Sequence, residues 1–135
     1  MASGEKIVVD ASAVLAVILN EPEKAKIIGL TQGCSLISPG CLRWEIGNAF
    51  TVMLKRKRLT LEEAMRGLEI YAMIPIQEMD VSLHDAVQLS SRHNIYAYDA
   101  YYLELAKRNT SPLLTLDSRM AQVANDEKIK QKEIS

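Results

Sequence analysis

The chain has 135 residues, 48% hydrophobic and 24% charged, a length and balance that suit one domain able to bury about two thirds of its unfolded surface without staples. A net charge of −1 argues against a nucleic-acid binder of basic composition, no apolar run approaches the ~18 residues of a membrane span, and MASGEK at the start lacks the apolar stretch of a signal peptide; a cytoplasmic protein folded as a single domain over residues 1–135 is expected. Cys34 and Cys41 stand neither as C-x-x-C nor beside histidines at metal spacing, so they read as buried thiols of a reducing compartment.

KIVVD (6–10) has the continuous apolar character of a strand buried on both faces, and ASAVLAVILNE after it reads as helix, which sets Asp10 at a β-to-α hinge. Pro22 suits the first turn of a second helix, EPEKAKIIGL, closed with help from Gly29 and Gly33. CSLIS (34–38) reads as strand two, and Pro39 opens a long helix through Arg58 with Leu42, Ile46, Ala49, Phe50, Met53 and Leu54 at helical spacing. Thr60 with Glu63 forms a capping box, IPIQEM (74–79) is a third strand, and Ser82 with Asp85 resembles a second box. AYDAYYLELA (97–106) begins another helix, and PLLTLD (112–117) is a fourth strand. A short helix from Ser118 then leads to EKIKQKEIS, whose Ile129 and Ile134 suit an edge strand. Strands separated by helices predict an α/β fold, with a central parallel β-sheet of four to five strands flanked by helices. Right-handed crossovers then bring the C-terminal ends of the strands to one edge, where open α/β sheets place their ligand sites.

Acids gather at that edge. Asp10 ends strand one, Asp117 ends strand four, and Asp99 starts a helix there. At about 100° per residue, Asp99 lies in line with Leu103 and Ala106 and beside Tyr102, on the face that should be buried. Glu45 lies roughly 85° from the centre of its helix's apolar stripe, about two turns from the expected helix start, and can lean toward the same edge. Each acid has an ordinary reading as well: Asp10, Asp99 and Asp117 suit helix N-caps, and Glu45 suits a surface position. Their shared address makes a common site the sharper reading. Two carboxylates about 4 Å apart repel by roughly 4 kcal/mol at an effective dielectric of 20, so a cluster must hold protons or a cation. Oxygen donors without histidine or thiolate suit Mg²⁺ or Mn²⁺, whose waters exchange for phosphate oxygens. Setting four of the 17 acidic groups aside leaves 13 against 16 basic ones, which permits a basic rim around an acidic centre.

VVDASAVLAVILNE, WEIGNAF, AYDAYYLELA and LLTLDSRM resemble, in order and spacing, the successive motifs of the PIN domain, and especially the small VapC-type ribonuclease toxins of prokaryotic toxin–antitoxin modules. The resemblance covers nearly the whole chain. It implies a metal-dependent endoribonuclease in which Asp10, Glu45, Asp99 and Asp117 hold one or two Mg²⁺ or Mn²⁺ ions and water attacks phosphorus in line, leaving 5′-phosphate and 3′-hydroxyl ends. Ser12 and Thr115 match small hydroxyl positions of the family that orient carboxylates or water. Asn48 matches a polar position suited to the scissile phosphate or to bracing Glu45. The family also implies a homodimer and a cognate antitoxin protein as partners beside the RNA substrate.

The remaining features have two readings each. KRKR (55–58) suits phosphate contact or a solvated helix C-terminus favoured by the macrodipole. Tyr96, Tyr98, Tyr101 and Tyr102 suit base stacking or core packing. Arg119 suits a substrate phosphate or a structural ion pair, and Trp44, pointing away from the apolar stripe, suits a partner contact. Two rival functions remain: a catalytically degenerate PIN scaffold that binds RNA or protein, and a Mg²⁺-dependent aspartyl-phosphate phosphatase or phosphoacceptor. Against the second stands Ser12, where such a phosphatase carries a second Asp.

Overall fold

Ile7, Val8 and Val9 leave at most 2% of their surface to solvent, so the strand that carries them, β1 (Lys6–Val9), lies inside a sheet covered on both faces. The protein is described by a computed structural model over residues 4–134. After β1 come α1 (Ala11–Ile18), α2 (Lys24–Thr31), β2 (Ser35–Pro39), α3 (Leu42–Lys55), α4 (Leu61–Met73), β3 (Ile76–Met79), α5 (Leu83–His93), α6 (Ala97–Asn109), β4 (Leu113–Leu114) and α7 (Ser118–Asp126). All three strand pairings are parallel and the order is β3-β2-β1-β4. The order reverses between β1 and β4, and the crevice outside that switch point is where such sheets place a ligand. α1 packs on α2, α3 and α4, whereas α6 packs on β1, β2 and β4 with α5 and α7 against it. Buried from Tyr102 through Ala106, α6 is the central helix of the second group.

Several expected boundaries shift, for local reasons. Pro39 ends β2 instead of opening the helix: it pairs with Met79 of β3, and the β1–β2 register stops at Ile37, so β1 asks no N–H of it. The helix therefore starts at Leu42, which puts Glu45 in its first turn, one turn nearer the start than expected. Pro22 precedes the N-cap residue Glu23, and Gly29 lies inside α2 with open space around its Cα; the chain turns out of α2 at Gly33, whose φ of +76° needs a glycine. The capping box at Thr60 is complete, while Ser82 makes only half of one. Its own N–H turns to Glu104 on α6 instead. The tail makes a single parallel bridge, Gln131 to Leu113, and not a fifth strand. Ile129 is buried and Ile134 packs against the core; Ser135, like the first three residues of MASGEK, lies outside the described residues. Cys34 and Cys41 are half-buried, less enclosed than expected. No described helix is long and apolar enough to cross a membrane.

Two contacts fix the helices that carry the site. Glu127, just past α7, accepts hydrogen bonds from Arg92, from His93 Nε2 at 2.6 Å and from Lys107 Nζ at 2.6 Å, which ties α5, α6 and α7 together. Burial opposes its ionisation, but these donors overcome it and hold the carboxyl down at about 2. Gly67 of α4 faces Phe50 of α3, and a Cβ there would stand 2.6 Å from the ring tip.

Gly67→Ala should therefore destabilise the protein. Helix propensity favours alanine by about 1 kcal/mol, but overpacking a closed core costs about 1–3 kcal/mol. Urea unfolding decides the sign, and a variant more stable than the parent would show that Phe50 has room to turn. For Glu127 the depressed pKa adds stability that is complete above the unfolded value of 4.5 and is lost as pH falls toward 2. Glu127→Gln should thus be less stable than the parent at pH 7, with the gap narrowing by pH 3; a gap that is unchanged between the two would refute the assignment.

Candidate active site

Asp10 is 3% exposed at the hinge between β1 and α1. Its Oδ1 accepts the Ala13 N–H at 3.0 Å and the Ser12 hydroxyl at 2.7 Å, and its Oδ2 accepts a short hydrogen bond from Thr115. Asp10 is thus the N-cap of α1 and at the same time a carboxylate locked in orientation by two hydroxyls. Those hydroxyls also fix the neighbouring loop: Ser12 Oγ accepts the Leu116 N–H and Thr115 Oγ1 accepts the Asp117 N–H, both at 2.9 Å. Asp117 caps α7 through the N–H groups of Arg119 at 2.9 Å and Met120 at 3.1 Å.

Asp99 is not a cap. Tyr96 holds that position, with extended φ and ψ and no side-chain cap bond, so Asp99 becomes the third residue of α6, half-buried and without a described hydrogen bond. Glu45, also half-buried, accepts the Tyr102 hydroxyl at 2.7 Å on Oε2. The Cys41 thiol is a second donor to it. Tyr102 is 1% exposed and sits one turn after Asp99, so one helix presents both an acid and the brace of another. This bracing role was missed in the sequence, although the shared face of Asp99 and Tyr102 is the signal for it.

Mutual repulsion is visible in the ionisation of the group. Burial first, then the charge of Asp117, raises Asp10 against the pull of Thr115, Ser12 and Ala13. Burial raises Glu45, with Asp99 and Asp10 adding to it against Tyr102 and Cys41, and burial followed by Asp117 and Asp10 raises Asp99. Every pairing except Glu45 with Asp117 thus carries a felt repulsion. Burial and then Glu45 push the Cys41 thiol up to about 12, which makes it an inert donor. Among the described residues no Lys, Arg or His pairs with any of these four acids.

No three of these side chains already form a metal cage among the described residues. The donor chemistry nonetheless fits a hard divalent cation that keeps several waters and needs only one or two carboxylates at a time. Charge calls for one as well, since three neighbouring acids favour a proton for want of a counter-ion.

The resemblance implies hydroxyls beside the first and last acids, and Ser12 and Thr115 both bond Asp10 while Thr115 also accepts the Asp117 N–H. Asn48 is exposed and lines, with Ala11, Leu15, Trp44, Glu45, Ala49 and Tyr98, an open groove of about 380 Å³. Its amide does not brace Glu45; Tyr102 does. Arg119 makes no described ion pair, and its guanidinium donates to the His93 carbonyl at 2.6 Å. Lys55 to Arg58 are exposed at the end of α3, with Lys57 in the left-handed region at φ 56°. Of the four tyrosines Tyr102 joins the core and Tyr101 packs against it, while Tyr96 and Tyr98 are 85% and 58% exposed.

Solved structures share this fold. PAE2754 from Pyrobaculum aerophilum matches with a TM-score of 0.70 at 20% identity, covering 89% of this chain and 86% of that one. VapBC2 from Rickettsia felis, solved bound to a DNA fragment from their promoter, matches with a TM-score of 0.68 at 12% identity over 94% and 97%. In sequence, Ribonuclease VapC3 of Pyrobaculum aerophilum is 30% identical over 122 residues, 87% of this chain and 93% of that protein. Ribonuclease VapC9 of Mycobacterium tuberculosis is 31% identical over 116 residues, 85% and 88%. The family model described as the PIN domain matches residues 7–126, and this chain therefore belongs to the PIN-domain family, in which its curated relatives are VapC ribonucleases.

Proposed function

We propose that this protein is a Mg²⁺- or Mn²⁺-dependent endoribonuclease and the toxin of a toxin–antitoxin pair. The observation that carries the reading is the set of four acids, drawn from four helix starts, that repel one another while no Lys, Arg or His among the described residues pairs with them. The names of the curated relatives supply the substrate class and that of VapBC2 supplies the partner class.

Asp10, Glu45, Asp99 and Asp117 would hold the cation, which when bound stabilises charge on phosphoryl oxygens and eases deprotonation of water. Ser12 and Thr115 keep the Asp10 oxygens aimed and leave no freedom for that carboxylate to rotate. Tyr102 holds the Oε2 of Glu45 in place. An acid raised by burial is a stronger base toward a water's proton than a solvated carboxylate would be. The products would carry 5′-phosphate and 3′-hydroxyl ends. An aspartyl-phosphate enzyme fits less well, because Ser12 stands where such a phosphatase carries a second Asp and its hydroxyl is spent on Asp10.

Leu15 and Ala49 border a second open groove of about 430 Å³, which runs along α1 and α3 past Ser12, Leu19, Met53 and Leu116. An antitoxin segment would lie along it and offer Arg or Lys to the acids in place of metal. Exposed Leu61, Met65 and Met73 of α4 and Leu83 and Val87 of α5 support a C2 homodimer. Analytical ultracentrifugation at micromolar concentration should give twice the chain mass; a monomer throughout would remove that claim.

Asp99→Asn is the cleanest probe of the site, since Asp99 has no described hydrogen bond to lose, whereas Asp10→Asn would also weaken a cap. The variant should lose Mn²⁺-dependent cleavage of single-stranded RNA by at least ~100-fold, the scale of one electrostatic group in a transition state. In EDTA it should also melt above the parent by a few degrees, from roughly 0.5–1 kcal/mol after solvent screening. Asp99's raised pKa withdraws stability from the parent as pH climbs through the usual carboxylate range, so the gain should be full at pH 7 and small near pH 4. Mn²⁺ should stabilise the parent more than the variant. A variant that cleaves normally, or that melts below the parent in EDTA at pH 7, would contradict the shared site.

A further inference from the structure

Trp44 is the chain's one tryptophan, and it stands 70% exposed on the first turn of α3. Tyr98, 58% exposed, faces the same groove from the first turn of α6. Large aromatic surface left in water on two separate helices costs free energy and asks for a partner.

Neither ring is loose. The Arg43 guanidinium lies 5.4 Å from the centroid of Trp44 and is itself held by Glu78. Tyr98 makes an edge contact with Tyr101, centroids 5.8 Å apart at 88°. Both rings are thus steadied by a neighbour while they line the groove. Ala11, Leu15 and Ala49 give that groove an aliphatic floor. Asn48, one helical turn from Trp44 and on its side of α3, adds an exposed amide without a described side-chain hydrogen bond. An amide presents a donor and an acceptor side by side, the pattern that reads the edge of a base. Glu45 shares the lining, so whatever fills the groove lies against the acid cluster.

From the juxtaposition of Trp44, Tyr98 and Asn48 around a groove that ends on Glu45, we infer that this groove is a nucleobase subsite, which seats one unstacked base of single-stranded RNA beside the scissile phosphate. The inference rests on the ribonuclease reading and deepens it. Aromatic faces stack on any base, and the amide adds a preference among them. A base must leave its helix to enter, so single strands and loops are favoured over duplex. An antitoxin side chain is the competing occupant, but a free amide beside two aromatic faces is better matched to a flat, polar-edged ring than to an aliphatic chain.

Trp44's solitude makes the test direct. In EDTA, tryptophan fluorescence of the full chain is titrated with oligoadenylate, with oligouridylate and with an abasic strand of the same length. Base-bearing strands should quench it and the abasic strand should not. Tyr98→Ala and Asn48→Ala should weaken that binding about tenfold, and Tyr98→Phe should restore it, since a stacked base is lost or kept with the ring. In Mn²⁺, Trp44→Ala should raise KM for single-stranded RNA about tenfold with a smaller change in kcat, and Trp44→Phe should recover most of it. Equal quenching by the abasic strand, or Trp44→Ala and Tyr98→Ala enzymes that cleave like the parent, would overturn the subsite. So would RNA that leaves Trp44 unperturbed while a cognate antitoxin quenches it, an outcome that assigns the face to protein. Base-dependent quenching by a parent chain that never cleaves RNA would instead keep the subsite and remove the nuclease reading.

Discussion

Everything at this site depends on one buried carboxylate. Asp10 sits where β1 turns into α1, loses its water there, and is held by three donors that reach it from α1 and from the loop after β4. The same Ser12 and Thr115 hydroxyls bind the backbone of Leu116 and Asp117. One acid thereby sets the distance between the two strands at the switch point and the start of α7. Burial costs an ionised group several kcal/mol, and the donors around Asp10 offset only part of that. The acid cluster to which it belongs favours a positive charge beside it, and among the described residues no Lys, Arg or His pairs with its acids.

That preference explains features that packing alone does not. α6 is buried along its middle, yet carries in its first turn a half-buried acid that has no described hydrogen bond. Its next turn carries Tyr102, a core residue whose hydroxyl is spent on Glu45 of another helix. Glu127 solves the opposite problem: it is one acid among three basic donors, and it welds α5, α6 and α7 so that Asp99 and Asp117 keep their spacing. The first arrangement stores repulsion and the second stores attraction. Repulsion collects at the edge where a ligand can relieve it, and attraction collects behind it.

Much of this was legible in the chain. The apolar KIVV run and the box at Thr60 translate directly into β1 and the start of α4, because burial on both faces and a reciprocal cap leave few alternatives. Asp10, Asp99 and Asp117 stand out by their positions at strand and helix ends and Glu45 by its register beside an apolar stripe; the structure sets them close enough to feel one another's charge. Pro39 was misleading, since proline fits both a helix start and a strand's last residue, and only the β1–β2 register decides between them. Asp99 has an N-cap reading beside its core-facing register; the extended backbone of Tyr96 gives the cap position to that residue and leaves the acid inside the first turn. Tail residues 127–134 carried strand-like isoleucines, but the short β4 offers one bridging position. The Tyr102–Glu45 bond spans 57 positions in sequence, and no local pattern announces such a contact.

Paramagnetic broadening by Mn²⁺ in amide NMR spectra tests the central claim most directly, because it locates the cation without relying on turnover. At substoichiometric Mn²⁺, amides beside Asp10, Glu45, Asp99 and Asp117 should fade together, from four elements far apart in sequence, while those of α5 and the Glu62–Glu63 start of α4 persist. Broadening that begins at Glu62 and Glu63, or that touches one of the four acids and spares the others, would contradict a shared cation site.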